Sequence, residues 1–310
     1  MAQATSLPEP TAGVRSTREI VGGGRSSVLR GPRQFLTRLL KVRGSGAGLA
    51  VLLLLLFMAA AAPVIAPQDP ARQDLLATLQ KPSAAHLFGT DDLGRDVLSR
   101  VIYGSRVSLV VGLISIGVAL FGGVLVGLTA GYVGGFVDDV LMRVMDAISA
   151  FPALVLALAI TAALGPGIEN AMIAIGIVYT PLFARLIRSQ AITIRELDYC
   201  LAARTLGAGP LRMMFTHIWP NATAPIIVQA SLSVSSAIIV EASLSFLGVG
   251  ILPPTPSWGS ILNEGYRVLQ IAPWMAISAG TAIFITVMGL NFLGDGLRTA
   301  LDPRMSRRGD

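Results

Sequence analysis

Long apolar runs separated by short polar stretches dominate the chain. Residues 47–66 carry no charge over twenty positions, which is enough to cross about 30 Å of hydrocarbon. The run at 170–184 has only fifteen residues and spans a bilayer if Arg185 and Arg188 snorkel to its surface. Four further charge-free runs lie at 107–137, 147–168, 213–240 and 268–294. The pattern predicts an all-α integral membrane protein with six transmembrane helices.

The composition agrees with a membrane-embedded chain. Of its 310 residues 53% are hydrophobic and 14% are charged, against about 25% charged residues in soluble domains. The small residues at 59–63, inside the first apolar run, resemble a signal-peptide cleavage site, but the length of the run and the long preceding segment favour a retained anchor. The single cysteine, Cys200, excludes an intrachain disulfide.

Basic residues are distributed unevenly among the polar stretches. With the N-terminus in the cytoplasm, 18 of the 24 Lys and Arg residues lie on the cytoplasmic side and 6 lie outside. Cytoplasmic loops carry such an excess in membrane proteins, so we predict that both termini are cytoplasmic. The net charge of +6 is explained in this way and does not indicate a nucleic-acid partner.

These features divide the chain into five parts. Residues 1–33 are rich in Gly, Ser, Pro and Arg without periodicity, which predicts a disordered cytoplasmic tail. The first transmembrane helix is expected within 34–66, an extracytoplasmic segment at 67–104, and a membrane core at 105–298. The core includes a cytoplasmic loop at 191–221, and a second cytoplasmic tail follows at 299–310.

Three patterns concern the second and third spans. Gly123, Gly127, Gly131 and Gly135 recur every four residues and predict a close helix–helix contact, either internal or with a second subunit. Residues Phe151 and Pro152 predict a kink in the third span. At its start, one helix face is predicted to carry an ion ladder of three side chains: Asp139, Arg143 and Asp146.

The polar stretch at 199–221 is itself predicted to form helices. A helix is predicted to end at Gly207, because Gly admits left-handed dihedrals and Pro210 cannot continue a helix. A second helix is predicted to start at Leu211, and the i, i+3, i+4, i+7 spacing gives it one apolar face of Leu211, Met214, Phe215 and Ile218. With Arg204 and Arg212 as its basic residues, this unit is expected to bind another protein at the membrane surface.

The extracytoplasmic segment contains a cluster of charged residues. Either Thr90 or Asp91 is expected to cap a short helix that runs to Tyr103. A metal site built from His86, Asp91, Asp92 and Asp96 is disfavoured, because Arg95 and Arg100 can neutralise the carboxylates. We therefore predict no metal site in this chain.

Glu241 is an ionisable residue at the end of a charge-free run, which is costly inside a membrane. One interpretation is a structural carboxylate that caps a broken helix or pairs with a sister subunit, and the other is an outer gate. A polar translocation path is predicted beside it, lined by Ser231, Ser235 and Phe246. The sequence contains no P-loop and no nucleophile–base pair, so no catalytic residue is predicted and the chain is not expected to be an enzyme.

Two sets of motifs connect the chain to a known family. Ala202-Ala203, Gly207, His217 and Pro220-Asn221 resemble the EAA loop of ABC-importer permeases, although Leu201 stands where that motif has Glu. Further matches resemble the dipeptide/oligopeptide permeases of the C type: Gly89-Thr90-Asp91, Gly94-Arg95-Asp96, Ser99-Arg100, Tyr103-Gly104, Glu241 to Gly248, Ser257-Trp258-Gly259 and Gly294 to Arg298. In this resemblance the extracytoplasmic signature comprises Thr90, Asp91, Gly94, Arg95, Asp96 and Arg100.

The resemblance implies a type I ABC-importer permease fold in a bacterial cytoplasmic membrane. The implied function is one of two permease subunits of an importer for di- or oligopeptides. Implied partners are a homologous B-type permease, two ATPase subunits that bind ATP and Mg, and an extracytoplasmic peptide-binding protein, while this chain binds no cofactor. The implied ATPase-coupling residues are Ala202, Ala203, Arg204, Gly207, Arg212, His217 and Pro220.

Other functions remain open at this point. The same architecture could import nickel, glutathione or another small solute. A secondary transporter or channel without a motor is disfavoured, because we find no paired broken helices or inverted repeats. A membrane scaffold without transport is disfavoured by Glu241 and by the cytoplasmic loop.

Overall fold

The computed structural model describes residues 32–301, and these residues form helices joined by loops. Within this range there is no strand beyond one isolated bridge between Thr90 and Asp96. The predicted all-α class is confirmed. The helices are α1 Pro32–Lys41, α2 Ser45–Ile65, α3 Val97–Val133, α4 Gly135–Ser149, α5 Ala153–Leu164, α6 Ile168–Arg195, α7 Asp198–Thr205, α8 Pro210–Arg212, α9 Trp219–Phe246, α10 Trp258–Arg267 and α11 Pro273–Leu301.

Five helices in this range are long and apolar enough to cross a membrane: α2, α3, α6, the continuous helix Pro210–Phe246 and α11. A sixth span is formed if α4 and α5 are counted together, since they are bent by 90° at a short break. The break falls at 150–152, so the kink predicted from Phe151 and Pro152 is confirmed. Proline has no N–H and clashes with the preceding turn, which explains why the helix breaks there.

The structure corrects two helix boundaries. The segment 34–66 holds two helices, because Gly44 adopts a φ of +89° and turns the chain between α1 and α2. The short helix predicted to end at Tyr103 instead runs on without a break through the whole second span. Its cap is Asp96, whose carboxylate accepts a hydrogen bond from the Ser99 N–H at 2.8 Å, and neither Thr90 nor Asp91 takes this role.

The predicted tails lie almost entirely outside the described residues. Of the tail predicted at 1–33, only the last two positions are described, and they belong to α1. Of the tail predicted at 299–310, residues 299–301 are the last turn of α11.

The helices form a bundle with two distinct ends. One end, here called the α7 end, carries α1, the α3–α4 junction, α7, α8 and the last turn of α11. The opposite end, here called the α10 end, carries the loops at 66–96 and 247–272 together with α10. At this end the Gly167 N–H donates to the carbonyl of Gly250 at 3.1 Å, which ties the start of α6 to the loop after α9.

The glycine ridge of α3 is buried against α6 of the same chain. A Cβ atom at Gly127 would lie 2.5 Å from the Ala184 carbonyl oxygen and 2.9 Å from the Ile187 Cβ. At Gly131 it would lie 2.7 Å from the Ala191 Cβ. The predicted close contact is therefore confirmed as an internal one, except at Gly135, which follows α3 and has open space around it.

Replacing a glycine of this ridge should destabilise the protein. We expect Gly127→Ala to cost about 1–3 kcal/mol, because the new methyl group overpacks two helix backbones. The measurement is thermal unfolding of the purified permease, in which the variant should melt at a lower temperature.

Gly117→Ala is the matched control, since Gly117 lies in the same helix with nothing within 4 Å of its Cβ position. Alanine has a helix propensity about 1 kcal/mol better than glycine, so this variant should melt at the wild-type temperature or above. Equal losses in both variants would contradict a close α3–α6 contact at Gly127.

Candidate functional site

The polar connection between α6 and α9 forms a compact unit at the α7 end. The helix α7 ends before Gly207, which has a φ of +85° and supplies the left-handed turn that the sequence predicts. Pro210 then occupies the first turn of α8, where its missing N–H costs nothing. The chain continues through a π-helical segment, Met213–Ile218, directly into α9.

Buried residues fix this unit to the bundle. Met213 and Ile218 have no exposed surface and Met214 is 8% exposed, so all three pack into the core. Cys200 on α7 is also fully buried, and burial raises the pKa of its thiol. The thiol is therefore inaccessible and protonated.

Two arginines attach the connection to the end of α3. The Arg195 Nη1 donates to the carbonyl of Gly131 at 2.7 Å. The guanidinium carbon of Arg204 lies 5.8 Å from the centroid of the Tyr132 ring, within the range of a cation–π interaction. The glycine ridge ends at the same place, so α7 is positioned by the α3–α6 pair.

The apolar face predicted for the second helix is wrong in part. Met214 and Ile218 are buried, but Leu211 is 69% exposed and Phe215 is 47% exposed. The reason is the π-helical segment, whose i→i+5 hydrogen bonds change the residues that share a face. Met213 takes a buried place, and the leucine and the phenylalanine turn outward.

The outer surface of the connection consequently carries exposed apolar side chains among exposed polar ones. Leu206, at the tip of the connection, is 88% exposed, and Leu201 on α7 is also exposed. Together with Leu211 and Phe215 they form what we call the coupling surface, which Arg212 borders. Exposed apolar side chains of this kind are typical of surfaces that bind other proteins or membranes.

The residues predicted to couple to ATPases all lie on this unit, with different exposure. Exposed members are Ala202, Arg204, Gly207, Arg212 and Pro220, and half-buried members are Ala203 and His217. The carbonyl of His217 accepts a hydrogen bond from the Asn221 Nδ2 at 2.7 Å, which stabilises the first turn of α9. Because the coupling surface also includes Leu206, the motif residues alone do not define it.

The predicted extracytoplasmic signature forms a buried ionic cluster at the α10 end. The carboxylate of Asp91 accepts from the Arg95 Nε at 2.6 Å and also pairs with Arg100. Both arginines reach Glu264 on α10, with N–O distances of 3.1 Å from Arg95 and 3.0 Å from Arg100. Sequence reasoning missed Glu264, since no local motif marks it and it lies 164 positions from Arg100.

The other members of the signature support this cluster. Thr90 is buried and its hydroxyl accepts from the Gln80 N–H at 2.8 Å. Gly94 has a φ of +72° and packs against the backbone of Asp74, so a side chain does not fit there. Asp96 caps α3 and lies 3.0 Å from the Nδ1 of His86. All six predicted residues therefore come together in one place.

Three carboxylates of this region lie close enough to share a cation: Asp91, Asp92 and Glu264 are within 4.8 Å of one another. The guanidinium groups of Arg95 and Arg100 already donate to Asp91 and Glu264. The cluster is accordingly an ion-pair network that joins the 67–96 loop to α10.

The predicted gate and pathway residues all lie on α9. Glu241 has no exposed surface, and its carboxylate accepts from the hydroxyls of Ser108 at 3.2 Å and Ser245 at 2.9 Å. This position contradicts pairing with a sister subunit, because the side chain is enclosed by its own chain. Ser235 is likewise buried, and its hydroxyl lies 2.8 Å from the Oδ1 of Asn291 on α11.

The two remaining pathway residues are half-buried, and Ser231 lies one helical turn from Ser235 on α9. Ser231 donates to the carbonyl of Val228 at 2.8 Å. The ring of Phe246 stacks edge-on against Tyr266 of α10, with 5.7 Å between the ring centroids. Each of the four side chains therefore contacts another group of this chain.

The ion ladder predicted on α4 is wrong. No ion pair joins Asp139, Arg143 and Asp146 to one another within residues 32–301. The arginines of α6 attract the acids of α4 instead: Arg188 makes two contacts with Asp138, at 2.5 and 2.6 Å, and Arg185 lies 3.3 Å from Asp146. Sequence spacing within one helix could not include these partners, which come from another helix.

Comparisons with known proteins agree with this architecture. A family model described as "Binding-protein-dependent transport system inner membrane component" matches residues 123–307. A second model, described as "N-terminal TM domain of oligopeptide transport permease C", matches residues 33–82. A solved structure of the MetNI methionine ABC transporter, in inward-facing conformations, aligns with 66% of this chain and 96% of that chain at a TM-score of 0.52 and 15% identity, which supports the fold alone.

Several curated relatives are similar over most of the chain. The dipeptide transport system permease protein DppC of Alkalihalophilus pseudofirmus is 44% identical over 88% of this chain and 90% of its own. The di/tripeptide permease protein DppC of Pseudomonas aeruginosa is 46% identical, over 85% and 89%. The glutathione transport system permease protein GsiD of Pectobacterium atrosepticum is 41% identical, over 91% and 94%.

The family resemblance stated from the motifs is confirmed by these matches, and so is a multi-pass protein of the inner membrane. The chain belongs to the family of inner membrane components of binding-protein-dependent transport systems.

Proposed function

We propose that this chain is a permease subunit of an ATP-driven importer of di- or oligopeptides. It forms half of the translocation path and receives the motion of the ATPases through the coupling surface. The observation that carries the proposal is the exposed apolar surface of Leu201, Leu206, Leu211 and Phe215, held on a unit whose other face is buried. An ATPase subunit that closes around ATP would move this unit, and the rigid attachment to α3 would pass the motion to the spans.

The remaining subunits follow from the family. We infer a homologous B-type permease that completes the path, two ATPase subunits that bind ATP and Mg, and an extracytoplasmic peptide-binding protein. In this assembly the chain itself is non-catalytic and binds no cofactor. Ala202, Ala203 and Gly207 are small, and small residues suit a helix that must approach a partner closely.

Glutathione is a second candidate cargo, because the name of one relative at 41% identity includes glutathione. Relatives with peptide in their names include those at 44% and 46% identity, so we propose peptides as the cargo. In the reconstituted transporter with its binding protein, a dipeptide should stimulate ATP hydrolysis and glutathione should not. Stimulation by glutathione alone would leave the importer architecture standing and overturn the peptide cargo.

We also propose that the α7 end of the bundle lies in the cytoplasm. The uneven distribution of Lys and Arg supports this orientation. Native Cys200 cannot report it, because its side chain is fully buried. In a Cys200→Ala background, Ser83→Cys at the α10 end should react with an impermeant thiol reagent in intact cells. Thr205→Cys at the α7 end should react only after the cells are opened, and the opposite pattern would invert the topology. Both positions are exposed.

The coupling proposal predicts a specific effect of Gly207→Arg. The Cβ position of Gly207 has open space within this chain, so a new side chain does not disturb the bundle directly. It would instead strain a turn at positive φ and project into the docked partner. Overpacking a close contact costs about 1–3 kcal/mol, which corresponds to about 5- to 150-fold weaker ATPase binding. The measurement is pull-down of the ATPase subunits by the membrane-inserted variant.

Gly248→Arg is the matched control for this experiment. Gly248 also has a positive φ, +81°, and open space at its Cβ position, but it lies at the α10 end. The control should retain its ATPase subunits. If Gly207→Arg inserts, retains the ATPases and transports like wild type, the coupling role of this surface is wrong.

A further inference from the structure

The helix α1 is a separate element in front of the first span. It comprises Pro32–Lys41 and is followed by the turn at Gly44. Between residues 32 and 43 the sequence contains no acidic residue and four basic ones: Arg33, Arg38, Lys41 and Arg43. A strongly basic stretch thus stands directly beside a hydrocarbon-spanning helix.

One side of α1 is fixed to the bundle. Leu39 is 4% exposed, and its Cδ1 lies 3.0 Å from the Cβ position of Gly296 on α11. The hydroxyl of Ser45, at the start of α2, donates to the carbonyl of Leu39 and also to that of Val42 at 3.2 Å. These contacts hold α1 against the start of α2 and the end of α11, at the α7 end.

The other side of α1 carries exposed leucines. Leu36 is 45% exposed and Leu40 is 50% exposed, and they lie one helical turn apart. Lys41 and Arg43 are exposed, and neither makes an ion pair with any residue between 32 and 301. The surface therefore combines exposed leucines with cations whose charge is not neutralised.

We propose that α1 lies on the bilayer surface and binds the headgroups of anionic phospholipids. Leu36 and Leu40 enter the interfacial layer, and the basic residues contact the lipid phosphates. The complementary charges favour this occupant, because clusters of four to eight basic residues beside a span attract anionic lipids. An apolar face combined with a basic one is the arrangement of helices that lie in the membrane interface. The proposal is independent of the cargo and of the orientation of the bundle.

The test places an environment-sensitive fluorophore on Leu36→Cys in a Cys200→Ala background. The complete transporter is reconstituted in vesicles of phosphatidylcholine alone and with increasing phosphatidylglycerol. We expect the emission to shift to the blue as the anionic lipid increases, and to return at high salt because salt screens surface charges. A label on Thr205→Cys should show no such dependence.

Charge variants separate lipid binding from simple exposure. Replacing Arg33, Arg38, Lys41 and Arg43 by Gln should lower the ratio of bound to free helix about fivefold for each cation removed. The control is Arg33→Lys, Arg38→Lys, Arg43→Lys, which keeps every charge and should keep the blue shift. Its response also shows that the label reports on a folded protein.

Two results would overturn the proposal. One is an emission from the Leu36→Cys label that is the same in neutral and anionic vesicles, or unaffected by the four Gln substitutions. The other is a blue shift in neutral vesicles that disappears when the ATPase subunits are stripped, which would assign α1 to a protein contact.

Discussion

The close contact between α3 and α6 is the constraint on which the rest of the structure depends. Glycines at 123, 127 and 131 let two long helices approach without intervening side chains. In a membrane there is little hydrophobic gain from helix association, so such backbone proximity is a main source of stability. At the α7 end the contact is extended by polar groups, with Arg188 on Asp138 and Arg195 on the carbonyl of Gly131.

Both functional regions are attached to this helix pair. The connection that carries the coupling surface follows α6, and Arg204 attaches it to Tyr132 at the end of α3. At the other end, α3 begins within the ionic cluster, where Arg100 joins the 67–96 loop to Glu264 of α10. A force on α7 therefore acts on the α3–α6 pair. Buried ion pairs attach the far end of α3 to α10. Breaking one member of such a network is costly, because the remaining charge would be buried without a partner.

Sequence reasoning predicted the features that depend on local chemistry. The apolar runs gave the spans, Gly207 and Pro210 gave the break after α7, and Phe151-Pro152 gave the bend between α4 and α5. The glycine pattern predicted a close helix–helix contact but not the partner helix, because any helix with a smooth face could pack against these glycines. Family motifs gave the six residues of the signature without showing that they share one cluster.

Predictions failed where long-range partners decide the outcome. Asp146 pairs with Arg185 and Asp138 with Arg188, so the acids of α4 serve contacts with another helix and form no ladder of their own. Glu241 is enclosed by Ser108 and Ser245, and only the packing of α3 against α9 shows this. The π-helical segment at Met213–Ile218 changes the buried face of the connection, and no residue spacing indicates it in advance.

The central claim is that the apolar surface around α7 is the docking site of the ATPase subunits. A photo-crosslinking amino acid at Leu206, which is 88% exposed, tests it most directly in the purified complex. The same amino acid at Leu76, which is 95% exposed at the α10 end, is the comparison. The account predicts a crosslink to an ATPase subunit from position 206 and none from position 76. Absence of the crosslink at 206, or equal crosslinking from both positions, would contradict it.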